Sequence, residues 1–131
     1  MRPRLIALRL VLASTPIALS GCFLAAAGAG AAGAIAYTNR GASSEVGGTV
    51  DQVFDRAVTS FGQNGVAETG RSIEDNGRKR RLLGKKGEQD VTVELERDTE
   101  ATTKVEVIAR KNAVDYDKEL AKTILNGMLA R

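Results

Sequence analysis

Histidine is absent from the 131-residue sequence, and cysteine occurs once, at Cys22. Histidine is the commonest general base and the commonest metal ligand of proteins, so its absence excludes every histidine-dependent triad. A lone cysteine excludes an internal disulfide and any metal site built from several thiolates. The sequence therefore predicts a protein that is not an enzyme, holds no metal and needs no cofactor.

Aromatic residues are also few, with three phenylalanines, two tyrosines and no tryptophan. Basic residues outnumber acidic ones by 19 to 16, which gives a formal net charge of +3. Three of the basic residues lie within residues 1–21, and every acidic residue follows that segment. Without it the chain carries equal numbers of both signs, so the overall charge gives no reason to expect nucleic-acid binding.

Residues 1–21 have the three parts of a secretory signal peptide. A basic start with Arg2 and Arg4 precedes an apolar run over residues 10–19, and small residues follow the run. A membrane-spanning helix needs about 20 apolar residues, so this run is too short to span a membrane. We therefore expect export of the chain and cleavage after residue 21.

The segment ends in Leu19-Ser20-Gly21-Cys22, which resembles the bacterial lipobox. The resemblance implies that the sulfur of Cys22 receives a diacylglycerol, that cleavage occurs before it, and that the new amine is acylated. One acyl chain binds a membrane only marginally, whereas two or three on one residue hold a protein there. We therefore expect a lipid-anchored protein. No acidic residue resembling an inner-membrane retention signal follows Cys22, so the expected location is the outer membrane, facing the periplasm.

Residues 22–43 are predicted to form an Ala/Gly-rich tether. No charge occurs over residues 23–37, and two interpretations stay open for them: a flexible tether or a segment that inserts in the membrane. Gly28, Gly30 and Gly33 match the G-x-G-x-x-G pattern of nucleotide loops. No strand of a βαβ unit precedes them, so we reject a nucleotide site.

Residues 44–131 are predicted to form one small α+β domain in the order β-α-β-β-β-β-α. Thr49 and Gln52 have the spacing of a capping box, and apolar residues follow at helical spacing. Asp-Asn-Gly at 75–77 predicts a tight turn between two strands. The later strands alternate apolar and polar residues, which indicates a sheet with one solvated face. We expect an antiparallel sheet of about four to five strands, with two amphipathic helices on one face, as a two-layer sandwich.

Polar positions of these strands are expected to interact across the sheet. Glu94 and Glu96 should face water, and Lys104 and Arg110 of the next strand should pair with them. The last helix is predicted to be capped by Asp115. Its predicted apolar face consists of Tyr116, Leu120, Ala121, Ile124, Leu125 and Met128.

The densest charge in the sequence is a basic run in the second arm of the predicted hairpin. Alternate residues of a strand point to opposite sides, so the run predicts an edge strand or a solvated strand whose charge resists pairing with other chains. The alternative is a contact with anionic phospholipid or lipopolysaccharide head groups. The residues are Arg78, Lys79, Arg80, Arg81, Lys85 and Lys86.

Three segments, residues 48–54, 69–71 and 102–107, occur in an order that resembles a family of short bacterial lipoproteins. The resemblance covers essentially the whole chain. It implies a lipobox, an Ala/Gly tether and a small α+β domain of unknown function, and it implies no activity and no site residues.

The expected function is a non-enzymatic structural or interaction role in the envelope. The expected partners are the membrane and either an envelope protein or an anionic lipid, without nucleic acid. The alternative is a module that binds a lipid or small ligand between helices and sheet, which a cavity of about 300 Å³ or more would favour. Phe54, Phe61, Tyr116 and Ile124 would line it. A third possibility, an enzyme, needs a polar cluster around Arg71 and the Glu94/Glu96 face.

Overall fold

The computed structural model describes residues 34–129. These residues form a sheet and two helices, so the structure is mixed α+β, as predicted. A 3-10 turn over Asp75–Gly77 joins the third and fourth strands. The elements are β1 (Ala36–Tyr37), β2 (Gly41–Gly47), α1 (Val50–Gln63), β3 (Ala67–Glu74), β4 (Lys79–Lys86), β5 (Gln89–Arg97), β6 (Thr102–Arg110) and α2 (Lys118–Leu129).

The six strands pair antiparallel in the order β1-β2-β6-β5-β4-β3. Because β2 lies beside β6, α1 carries the chain across the sheet from β2 to β3 at the far edge. The strand count exceeds the predicted four to five, since β1 adds a two-residue strand. The strand predicted from Ser44 begins at Gly41, so residues 36–43 contribute to the sheet, although the sequence places them in the tether.

The β1–β2 hairpin is held at both ends. In the turn, the hydroxyl of Thr38 accepts a hydrogen bond from the amide of Gly41 at 2.9 Å. In β1, the hydroxyl of Tyr37 donates to a carboxylate oxygen of Glu119 in α2, also at 2.9 Å. The start of the described chain is thereby attached to the last helix.

Helix α1 begins with the predicted capping box. The Thr49 hydroxyl accepts from the amide of Gln52 at 3.3 Å, and the Gln52 side chain accepts from the amide of Thr49 at 3.1 Å. Both bonds satisfy amides that have no partner within the helix. The buried side chains of α1 recur every three or four residues and comprise Val50, Val53, Phe54, Ala57, Ser60 and Phe61.

Both helices pack on one face of the sheet and share one hydrophobic core with it. Phe61 and Ile124 are fully buried in this layer. Phe61 packs over β4 at Gly84, where an added Cβ would lie 2.7 Å from the ring. Alternate strand residues complete the core. Val91, Val93, Leu95, Val105, Val107 and Ala109 point inward as their spacing predicted, and Ala42, Val46 and Leu82 join them.

Helix α2 is capped by Asp117. The prediction that Asp115 caps it is wrong. A carboxylate oxygen of Asp117 accepts from the amide of Leu120 at 3.0 Å, and this bond holds the pKa of Asp117 below its ordinary value. The reason is tertiary: the Asp117 amide donates to the carbonyl of Ala109 at 2.7 Å, so the chain stays extended to that point. Tyr116 therefore precedes the helix and is not part of its apolar face.

Strand β4 is internal, so of the two predicted alternatives, an edge strand or a solvated strand, the edge strand is wrong. It pairs with β3 on one side and with β5 on the other, and β3 is the edge. The tight turn that leads into β4 is confirmed. Asp75, Asn76 and Gly77 have φ values of 51°, 53° and 86°, a conformation that Asn and Gly tolerate best.

Candidate contact surface

The face of the sheet opposite the helices, here the open face, carries an uncharged row that runs across the strands. Residues directly paired in neighbouring strands point to the same side of a sheet. The strand register pairs Leu83 with Thr92, and Thr92 with Ile108. Gly70 of β3 and Gly41 of β2 extend the row at its two ends. No other described element covers these residues with a second layer.

Charged residues flank the row on the side toward Gly47. Glu94 of β5 lies directly opposite Glu106 of β6, so two like charges meet across the strands. Each carboxylate has its own cation on the outer side. Arg81 lies 3.3 Å from Glu94, and Arg40 lies 3.3 Å from Glu106. The like-charged pair is thus compensated by two arginines.

Two of the predicted cross-strand partners, Glu96 and Lys104, are neighbours in register, but each forms its ion pair with another residue. Glu96 is opposite Lys104, yet its ion pair is with Lys79 at 3.9 Å. Lys104 lies 3.2 Å from Asp98, and the hydrogen bond to that carboxylate raises the pKa of Lys104. Glu96 and Lys104 are therefore direct cross-strand neighbours, as predicted, but among the described residues neither Glu94 nor Glu96 forms its ion pair with Lys104 or Arg110.

An open depression of about 350 Å³ lies on the open face around the uncharged row. Its floor contains Ile108, which is only 8% exposed although no helix covers it. Three arginines, two carboxylates and a tyrosine surround the apolar part. The lining residues are Arg40, Arg81, Leu83, Asp90, Thr92, Glu94, Ile108, Arg110 and Tyr116.

Arg110 differs from the other charged residues of the depression. Its guanidinium donates to the carbonyl oxygens of Asn112 and Ala113, both at 3.0 Å. Asp90 is opposite Arg110 in register, but Asp90 lies 3.7 Å from the ammonium of Lys85. Within residues 34–129, Arg110 has no carboxylate at ion-pair distance. Its side chain is held in place by the loop while its charge stays uncompensated.

Tyr116 reaches the depression because the loop after β6 turns back on the strand. Its backbone forms an isolated antiparallel bridge with Arg110, which puts the two side chains on the same side. Sequence reasoning placed Tyr116 in the layer between helices and sheet, and this was wrong. The signal that could have revealed it is the Asn-Ala-Val-Asp stretch over residues 112–115, a loop that allows the reversal.

The residues of the basic run are dispersed and do not form one patch. On the open face, Lys79, Arg81 and Lys85 each have a carboxylate partner. Arg80 faces the helices and lies 2.9 Å from Asp51. The remaining two cations, Arg78 and Lys86, stand at opposite ends of β4 and have no ion pair among the described residues.

Phe54 of α1 has two guanidinium groups close to its ring. The guanidinium carbon of Arg71 is 5.3 Å from the ring centre and that of Arg80 is 5.0 Å. Arg71 also binds Glu68 through two hydrogen bonds, of 2.6 and 2.9 Å, which lower the pKa of Glu68. Arg71 pairs with buried Leu82 and so faces the helices, whereas Glu94 faces away. Within residues 34–129 the structure therefore does not bring Arg71 together with the Glu94/Glu96 face.

The remaining sequence predictions concern residues beyond this surface. Leu19, Ser20, Gly21 and Cys22 lie outside the described residues, so the lipobox stays a prediction. Residues 34–129 contain no helix with the length and apolar character needed to cross a membrane. Over the same residues, no three Cys, Asp or Glu side chains are grouped so that they could hold a metal ion.

Comparison with curated proteins gives no match. The family model described as "Protein of unknown function (DUF3568)" matches residues 5–126. The match includes α1, all six strands, most of α2 and the segment that carries the lipobox-like residues. The chain therefore belongs to the DUF3568 family of proteins of unknown function.

Proposed function

We propose that the protein is a lipid-anchored, non-enzymatic envelope protein whose open sheet face contacts another envelope component. The anchor is Cys22, acylated after cleavage of residues 1–21. In a cell with two membranes, the lack of an acidic retention signal supports the outer membrane, with the domain facing the periplasm.

The open face is the observation that carries the contact role. The helices cover the other face, so that surface is closed by the protein's own core. A solvated sheet face is usually polar throughout. Here an uncharged row with Leu83 and Ile108 crosses its middle, between charged residues that are mostly engaged with each other. An apolar strip that is surrounded by charged residues is typical of a binding surface.

A non-enzymatic role is supported by the chemistry of the same surface. Its carboxylates are held in ion pairs, as Glu94 is with Arg81 and Glu106 with Arg40. The sequence has no histidine to act as a base. Proton transfer at this face would have to break one of these pairs first.

The anchor is tested by growing cells with radiolabelled palmitate. The wild-type protein should incorporate label and should sediment with outer membranes on a density gradient. Cys22→Ser should incorporate none. Gly21→Ala is the matched control, because the lipobox accepts alanine there, and it should label like the wild type. An unlabelled wild-type protein would contradict the anchor.

The contact face is tested by photo-crosslinking in intact cells. A photoreactive amino acid replaces Thr92 at the centre of the open face, or Asn126 on the solvent side of α2 as the control. Thr92 should crosslink to a defined envelope component, and Asn126 should not. Equal crosslinking from both positions would show that the open face has no special role.

A further inference from the structure

We infer that the depression on the open face binds a single-chain anionic amphiphile of the fatty-acid type. The head group would lie at Arg110 and the chain along the uncharged row. This inference rests on the proposed role of the open face as a contact surface, and it does not require acylation of Cys22.

Charge compensation singles out Arg110 as the head-group position. Around the depression, Arg81 is paired with Glu94, Arg40 with Glu106, and Asp90 with Lys85. Arg110 donates only to neutral carbonyls in the described part of the chain. An uncompensated guanidinium held in one orientation is suited to a carboxylate, because hydrogen bonds between charged groups are the strong ones.

Two hydroxyls accompany Arg110 on the same side of the sheet. Tyr116 is its bridge partner, and Thr92 lies in the uncharged row beside Ile108. Neither hydroxyl has a hydrogen-bond partner among residues 34–129. They can donate to the same carboxylate, and they carry no charge that would repel it.

The uncharged row has the dimensions of an acyl chain. From Ile108, beside Arg110 in β6, to Gly70 in β3 it crosses four strands, so with about 4.8 Å between neighbours it runs for roughly 14 Å. Gly70 at the β3 end has no side chain to block a chain that lies along the row, and only a side-chain atom of Leu83, at 3.6 Å, lies near its Cβ position. The depression of about 350 Å³ is at the small end of ligand sites, which run from about 300 to 1,000 Å³.

An acyl chain suits the row better than a peptide does. A peptide would place its amides and carbonyls against Leu83 and Ile108, where Thr92 and Tyr116 are the only uncharged polar partners. Burying such groups without hydrogen bonds is costly. A methylene chain has no such groups and needs only one polar end.

A second copy of the chain is also a poor occupant. Rotating a copy about an axis along β5 would set Lys79 over Lys104 and Lys85 over Arg110, so that like charges meet. Rotating it about the uncharged row would set Glu94 over Asp90 and Arg81 over Lys85 of the copy, against one pair of opposite charges, Glu106 over Arg110. Like charges in contact disfavour both arrangements.

The test uses a photoreactive laurate analogue on isolated membranes that contain the full-length protein, where acylation of Cys22 is already complete. After irradiation, mass spectrometry locates the crosslinks. They should fall on β4, β5, β6 and Tyr116. The methyl ester of the same probe, which has no carboxylate, should label these positions at least about tenfold less, the factor expected for a lost charged hydrogen bond.

Substitutions locate the head group. Arg110→Gln keeps a donor for the loop carbonyls but loses the charge, and it should lower labelling by about tenfold at limiting probe. Arg78→Gln is the matched control at the other end of the sheet and should have no effect. Leu83→Glu leaves the loop untouched and should also lower labelling by introducing a negative charge in the row.

Circular dichroism of each variant confirms that the domain is folded. Equal labelling by acid and ester, unchanged labelling of Arg110→Gln and Leu83→Glu, or crosslinks confined to the helix side would each overturn the inference. If Thr92 captures a protein in cells while the laurate probe labels nothing, the amphiphile inference fails and the contact face stands. If the probe binds but Thr92 captures no envelope component, the amphiphile inference stands and the proposed contact with an envelope component fails.

Discussion

Ser60 in α1 and Ile124 in α2 are joined by a buried hydrogen bond. The Ser60 hydroxyl donates to the carbonyl oxygen of Ile124 at 2.6 Å, and Ser60 is fully buried. Gly127 of α2 also lies close to Ser60: an added Cβ at Gly127 would lie 2.5 Å from the same hydroxyl oxygen. One hydroxyl and one glycine thus set how closely the two helices approach.

Ser60→Ala should lower the free energy of unfolding by about 1–2 kcal/mol, because a buried hydrogen bond is lost and its carbonyl is left without that partner. Thr59→Ala is the control. The Thr59 hydroxyl donates to a carbonyl of its own helix on the exposed side, so its removal should change stability by less than about 0.5 kcal/mol. Urea denaturation measures both, and equal losses would show that the interhelical bond adds nothing.

Gly127→Ala should destabilise the domain by about 1–3 kcal/mol, since the new methyl group must push the helices apart. Gly62→Ala is a matched substitution in α1. No atom lies within 4 Å of its Cβ position, and alanine favours a helix by up to about 1 kcal/mol over glycine.

The two glycine variants should therefore shift the thermal midpoint in opposite directions. If Gly127→Ala raises the thermal midpoint as Gly62→Ala does, the close contact between Gly127 and Ser60 does not limit the approach of the two helices.

Gly84→Ala should also be destabilising, by about 1–3 kcal/mol. Its Cβ would lie 2.7 Å from both Phe61 and Val66 and 2.9 Å from the carbonyl oxygen of Ala67. Gly70→Ala, in the adjacent strand, would meet only a side-chain atom of Leu83 at 3.6 Å, an ordinary contact. Urea midpoints should fall for the first variant and stay within error for the second. A large loss for Gly70→Ala would contradict the open position of that residue.

Asp117→Asn should remove part of the pH dependence of stability. The pKa of Asp117 is lowered in the folded state, chiefly by the bond from the amide of Leu120, so its charged form contributes stability above the ordinary value of 3.8. That contribution is lost as the pH falls through the lowered pKa. Asparagine caps without titrating, so the variant should be about 0.3–1 kcal/mol less stable than wild type at neutral pH.

The stability difference between wild type and Asp117→Asn should close in acid. Denaturation curves collected from neutral pH to below 3.8 measure it. Asp115→Ala serves as the control for the cap, because Asp115 bonds only its neighbour's amide through its side chain. If Asp115→Ala costs as much as Asp117→Ala at neutral pH, the assignment of the cap to Asp117 is wrong.

Local features of the fold were readable from the sequence because they depend on residues close together in the chain. The Thr49–Gln52 capping box spans three residues, and the alternation of Val91, Val93 and Leu95 sets their face whatever lies beside them. The turn at 75–77 is likewise determined by its own three residues.

Features set by strand order were not readable. The pairing of β4 with both β3 and β5 puts β4 inside the sheet, and carboxylates of β5 and α1 compensate a basic run that by itself suggests an edge. The position of Tyr116 depends on a bridge to Arg110 that forms only after the loop reverses. These long-range pairings form the depression, and no sequence motif predicts it.

The pairing of Ala36–Tyr37 with β2 also limits how far the domain can stand from an acylated Cys22. A fully extended chain spans at most about 3.4 Å per residue, so a leash ending at residue 35 reaches roughly 50 Å, against roughly 75 Å if it ended at residue 43. If Cys22 is acylated as proposed, the hairpin limits the distance between the domain and the bilayer, and a partner must come within that distance to contact the domain.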